Sequence, residues 1–127
     1  MADQPTIVPI VEITKGNDAF RDEVITGKEA QLVLMTIQPG DEIGLEVHEE
    51  HDQILVIVEG HGQAVLGDET RDINPNDLIF VHAGTSHNFV NSGTIPMRLY
   101  TVYAPPEHAS GTRHETKAQA DAAEHNH

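Results

Sequence analysis

The sequence predicts an all-β sandwich or barrel, and three observations carry that prediction. From Gln31 onward, short apolar runs recur at regular spacing. Clusters of Gly, Pro, Asn and Asp separate them, with no long helical stretches between. The runs are built of Val, Ile and Leu, while Trp is absent and aromatic residues are only 4% of the chain, so the core must be aliphatic. A length of 127 residues suits one domain with one hydrophobic core.

Taken in order, Thr6 to Ile13 reads as a short strand broken at Pro9. Asn17 to Val24 reads as a brief helical turn with Phe20 as its apolar anchor. Together they form an N-terminal extension over residues 1–30. The barrel follows over 31–104 as QLVLMTIQ, EIGLEVH, QILVIVE, QAVL, ETRDI, LIFV, HNFVN and MRLYTVYA. Their punctuation is Pro39-Gly40, Gly60-His61-Gly62, Gly67-Asp68 and Asn74-Pro75-Asn76-Asp77. Gly67-Asp68 has the composition of a two-residue hairpin turn. Beyond Pro105-Pro106 the chain becomes polar, and residues 105–127 read as a mobile polar tail. Within it, Thr116 to Glu124 has the makings of a short helix with almost no apolar face.

Composition excludes several function classes. There is no cysteine, which removes disulfides, thiolate catalysis and cysteine-ligated metals, so any metal must take nitrogen and oxygen ligands. Twenty-one acidic residues against seven basic ones give a formal charge of −14. That opposes nucleic acid and anionic membranes, which are bound by neutralising phosphates. The acids suit either a very soluble protein or one from a salty environment. The opening MADQPTIVPI lacks the basic and apolar regions of a signal peptide, and no apolar run reaches membrane-spanning length. A soluble cytoplasmic protein is expected.

The stretch GLEVHEEHDQ, Gly44 to Gln53, carries two histidines and four acids. Alternation along a strand puts Glu46 and His48 on one face. If Glu49-Glu50-His51-Asp52 closes a simple hairpin, His48 sits opposite Gln53 and Glu46 opposite Leu55. Directly paired residues share a face, so Glu46, His48 and Gln53 converge, and Leu55 and Ile57 continue that face as an apolar wall. In LIFVHAGTSHNFVN, Ala83-Gly84-Thr85 makes a turn, after which His87, Phe89 and Asn91 share a face. A closing barrel brings His87 to the first group. Two imidazoles and a carboxylate with open positions suit Fe(II), Mn(II), Ni(II) or Zn(II). The plain alternative is a hydrogen-bonded polar pocket, but burying a carboxylate without a cation is costly. His51, His61 and His82 read as loop, turn and rim residues, with His51 the substitute ligand should Gln53 not coordinate. Tail histidines 108, 114, 125 and 127 read as adventitious.

At these residues the sequence resembles the cupins, compact single-domain barrels of the double-stranded β-helix, or jelly-roll, type. Their first motif runs Gly, five residues, His-x-His, three or four residues, Glu, six residues, Gly. Counting back from Gly60 sets Gln53 at the glutamate, His48 at the second histidine and Glu46 at the first. The second motif, Pro-x-Gly, two residues, His, three residues, Asn, matches His82-Ala83-Gly84, His87 and Asn91. The resemblance covers about residues 31–104, and the flanks resemble a bacterial subgroup of small cupins. Glu46 replaces a histidine, Gln53 the glutamate and His82 the proline. The carboxylate has thus moved, leaving Glu46, His48, Gln53 and His87 as expected ligands of a divalent metal. The resemblance implies a homodimer that binds a small polar metabolite, and, if an enzyme, a metal-dependent isomerase, lyase or dioxygenase. A non-enzymatic sensor barrel and a dimer with a vestigial site are the alternatives.

The charge excess generates a first prediction. Added ions screen self-repulsion among the carboxylates. The melting temperature is expected to rise between low and roughly molar monovalent salt, more than for a neutral barrel of this size. A flat response in a thermal melt would show that the acids are neutralised locally.

Overall fold

Period-two alternation decides which side chains face inward, and a computed structural model, in which residues 6–125 are described, shows the result. The elements are α1 (Ile10–Lys15), β1 (Arg21–Thr26), β2 (Gln31–Ile37), β3 (Asp52–Glu59), β4 (Gly62–Leu66), β5 (Glu69–Ile73), β6 (Leu78–Val81), β7 (His87–Val90), β8 (Met97–Ala104), β9 (Arg113–His114) and α2 (Lys117–His125). They build two antiparallel sheets, ordered β6-β3-β8-β2-β1-β9 and β5-β4-β7. This is the all-β jelly-roll that the sequence predicts. No helix among the described residues is long and apolar enough to cross a membrane.

The inner face of the larger sheet is set by alternate residues: Val33, Met35 and Ile37 on β2, Leu55 and Ile57 on β3, Met97 and Leu99 on β8. They cluster with Ala64, Ile73 and Phe89 of the smaller sheet. Removing a fully buried side chain such as Leu55 by alanine costs about 2–5 kcal/mol. On β6 the inward pair is Ile79 and Val81, so Phe80 faces outward and is 43% exposed. Leu66 and Glu69 pair directly across Gly67-Asp68, which confirms the two-residue turn, with Gly67 at φ 59°.

The N-terminal extension departs from expectation. Residues 10–15 are helical where a strand is expected, because Pro9 stands at the N-cap and its carbonyl accepts the Ile13 amide. The expected helical turn is instead a bend leading into β1. Asn17 resembles an N-cap in sequence, but its Oδ1 accepts from the Ala19 amide and its Nδ2 donates to the Ala19 carbonyl and to Thr36 Oγ1. The chain after it pairs with β2, and that ladder outweighs local helical spacing.

The expected mobile tail is docked through residue 125. Arg113 and His114 pair with Asp22 and Arg21, and Ala120 of α2 is buried. Buried Gln31 clamps the segment before them. Its Oε1 accepts from the amides of Glu107 and His108 at 3.2 and 3.0 Å, and its Nε2 donates to the His108 carbonyl at 2.6 Å. Docking through backbone polar groups leaves no apolar pattern to read. Asn126 and His127 lie outside the described residues.

The packing at β4 yields a second prediction. A Cβ on Gly62 would overlap the Val90 carbonyl oxygen and press on Met97 Sδ. Gly62→Ala is therefore expected to cost about 3 kcal/mol or more in urea unfolding. Gly40→Ala, at φ +80° with nothing within 4 Å, should cost only about 1–2 kcal/mol of backbone strain.

Candidate metal centre

The segment bearing Glu46 and His48 does not form the expected hairpin with β3. It runs instead along β7 of the smaller sheet, touching it at Glu42–Val90 and Glu46–His87. Glu46 and His87 exchange both backbone hydrogen bonds at 2.9 Å, so their side chains leave on one face. His48, two residues on, shares that face. Residues 49–51 then carry the chain to the larger sheet, anchored by Gly84 N–H to the His48 carbonyl and Ala83 N–H to Asp52 Oδ1. Convergence of these three side chains therefore holds, with a different pairing behind it.

One ligand atom from each of Glu46, His48 and His87 lies within 4.8 Å of the others. His48 Nε2 is 3.9 Å from Glu46 Oε1, and the two imidazole centroids are 5.2 Å apart. His87 is 1% exposed, and its Nδ1 lies 2.8 Å from the Thr85 carbonyl. A carbonyl only accepts, so Nδ1 carries the proton and Nε2 presents a lone pair. That Nε2 is buried and makes no hydrogen bond. An imidazole held in this tautomer by a backbone carbonyl is prepared for a cation.

Gln53 stands apart from the three in pairing, between Val81 and Tyr103 on the larger sheet. Tyr103 in turn packs edge-on against His48 at 5.8 Å. The Gln53 amide donates to Thr101 Oγ1 at 3.1 Å, which turns its buried Oε1 toward no protein partner. His51 lies closer to the C-terminal segment: Nδ1 donates to the Pro105 carbonyl at 2.6 Å, and Nε2 is 2.8 Å from Glu107 Oε2. Both of its nitrogens are thus engaged by the C-terminal segment, and it is not part of the Glu46, His48 and His87 group. His82 and His61 are exposed, and His82 rests against Phe80.

Four residues missed in the sequence frame this centre. Arg21, Gln31, Glu107 and His108 all lie outside the motifs. Glu107 Oε2 is 3.7 Å from His48 Nδ1, and His108 packs edge-on against Tyr103. Their signal was faint: Arg21 and Gln31 begin strands, and Glu107 and His108 follow a diproline that reads as a stop.

The Cupin_2 family, described as Cupin domain, matches residues 33–103. The chain belongs to the cupin family. Among the relatives of this cupin, uncharacterized protein YrkC of Bacillus subtilis is 44% identical across 95% of this chain and 68% of its own length. Uncharacterized protein L612 of Acanthamoeba polyphaga mimivirus is 34% identical over 85% of this chain and 70% of its own. The crystal structure of BH2720 from Bacillus halodurans superposes with a TM-score of 0.92 at 43% identity, covering 94% of this chain and 95% of that one. The cupin match spans residues 33–103, so Gln31 and the segment it clamps at Glu107 and His108 lie outside the matched residues.

Burial sets the titration of His108. Desolvation, then repulsion from Arg21 and from His48, His114 and His51, pushes it down from 6.5 to about 3. The folded protein keeps this ring neutral while the unfolded chain protonates near 6.5. Its contribution is thus intact above pH 6.5 and lost as the pH falls from there toward 3. Urea midpoints measured between pH 7 and pH 4 should fall less steeply in His108→Gln than in wild type.

Proposed function

We propose that this cupin holds a divalent transition metal on Glu46, His48 and His87, with the Gln53 carbonyl oxygen as a fourth, weaker ligand. The observation that carries the reading is the His87 ring, buried, fixed in tautomer by Thr85 and presenting Nε2 toward a carboxylate and a second imidazole. The donor set of two nitrogens and one or two oxygens fits Fe(II), Mn(II), Ni(II) or Zn(II). A metal there supplies Lewis acidity to a small polar metabolite in the open positions. The protein's own contribution is orientation. Thr85 fixes His87, Thr101 fixes Gln53, and Tyr103 supports His48 from the side. A homodimer belongs to the same reading, supported by Leu78 and Phe80 facing outward on β6 at the edge of the larger sheet.

Metal analysis of untagged protein tests the ligands. His48→Ala and His87→Ala should each abolish stoichiometric binding, and His61→Ala should leave it intact. Full metal in the His48/His87 double variant would overturn the assignment. Calorimetric titration then addresses Gln53: Gln53→Glu should tighten binding and make it more pH-dependent, and Gln53→Ala should loosen it. A turnover screen of sugars, keto acids and catechols under air and nitrogen separates an enzyme from a binding barrel.

A further inference from the structure

A metal held on two imidazoles needs each ring to offer one nitrogen to a common point and to keep its proton on the other. His87 is arranged that way by the chain itself, since its Nδ1 lies 2.8 Å from the Thr85 carbonyl. His48 turns Nε2 toward Glu46, 3.9 Å from Oε1, within the group of possible ligands. On the other side of the same ring, Glu107 Oε2 stands 3.7 Å from Nδ1. That separation is within ion-pair range and longer than a hydrogen bond, and such contacts commonly tighten when a site takes its ligand.

Glu107 is held at this point by interactions that do not involve His48. The same Oε2 meets His51 Nε2 at 2.8 Å, and His51 is tied through Nδ1 to the Pro105 carbonyl at 2.6 Å. The Glu107 amide donates to the side chain of buried Gln31, which also clamps His108. His108 packs edge-on against Tyr103, and Tyr103 edge-on against His48. Two consecutive residues of one clamped segment therefore bear on one ring, Glu107 at Nδ1 and His108 through Tyr103. The side chains of His51 and Glu107 are 17% and 27% exposed, so their contact is partly shielded from solvent, unlike a surface ion pair. We propose that Glu107 is a positioning residue for the metal site: its carboxylate keeps the His48 proton on Nδ1 and so leaves Nε2 as the ligand atom. This rests on the metal reading above. A ligand imidazole whose second nitrogen donates to a carboxylate is fixed in tautomer and in ring orientation, and it is the more basic ligand for it. Glu107 lies outside the matched residues 33–103, so the support for His48 comes from the flank of the barrel.

The test uses the full chain, with Zn(II) as the probe, in wild type, Glu107→Gln, Glu107→Ala and Glu50→Gln. Glu50 is the control for charge alone: it is exposed and lines the same mouth of about 270 Å³ as His48, His51 and Glu107. Calorimetric titration should show Zn(II) affinity falling by about 10–100-fold in both Glu107 variants. Glu50→Gln should lose no more than about threefold, because an exposed charge is screened. Glu107→Gln keeps the shape of the side chain and carries the test should Glu107→Ala not fold, as thermal melts will show. The second readout is NMR of the His48 ring nitrogens in metal-free protein near pH 8, above the ordinary imidazole range. Wild type should carry the ring proton on Nδ1, and both Glu107 variants should shift it toward Nε2. Glu107 variants that bind Zn(II) as Glu50→Gln does, or that weaken it while the proton stays on Nδ1, would overturn the positioning role. Wild type that binds none of Zn(II), Fe(II), Mn(II) and Ni(II) overturns the metal reading instead, and the tautomer measurement still decides whether Glu107 sets the ring.

Discussion

The two backbone hydrogen bonds between Glu46 and His87 are the constraint on which the rest of the site depends. They fix register, and in a sheet register decides everything about facing, since a slip of one residue turns every side chain over. With Glu46 opposite His87, His48 follows onto the same side, and three potential ligands come from two chain segments some forty residues apart. The pairing also obliges residues 49–51 to cross from the smaller sheet to the larger, which places β3 and its Gln53 against the site from the other wall.

How much of this was legible follows from which interactions leave a periodic trace. The strands of the barrel were legible because alternate residues are buried: Leu55 and Ile57, or His87, Phe89 and Asn91, repeat at period two. The convergence of Glu46, His48 and His87 was legible for the same reason, with the motif spacing pointing to the same residues. The partner strand was not. Glu46 faces inward whether it pairs with Leu55 or with His87, so the inward-facing test passed for the wrong ladder.

Outside the barrel the reading failed where single polar side chains do the organising. Asn17 binds its own turn instead of capping a helix, and Pro9 starts a helix where β-branched neighbours suggest a strand. Gln31 holds the C-terminal segment by backbone hydrogen bonds that no hydropathy pattern records. Nothing in the run RDEVIT marks Arg21 as buried. Only the strand pairing shows that its alternation points inward, opposite Met35.

The Gln31 clamp has a consequence for how such barrels diversify. Glu107 and His108 belong to a segment attached to the barrel largely by one amide, yet they face His48, His51 and Tyr103. Scaffold and rim are therefore held by separate interactions: aliphatic packing between sheets for one, a few polar contacts for the other. A lineage can rewrite residues 105–108 without touching the aliphatic packing between the sheets, and can thereby alter what faces His48 and His51 by point changes.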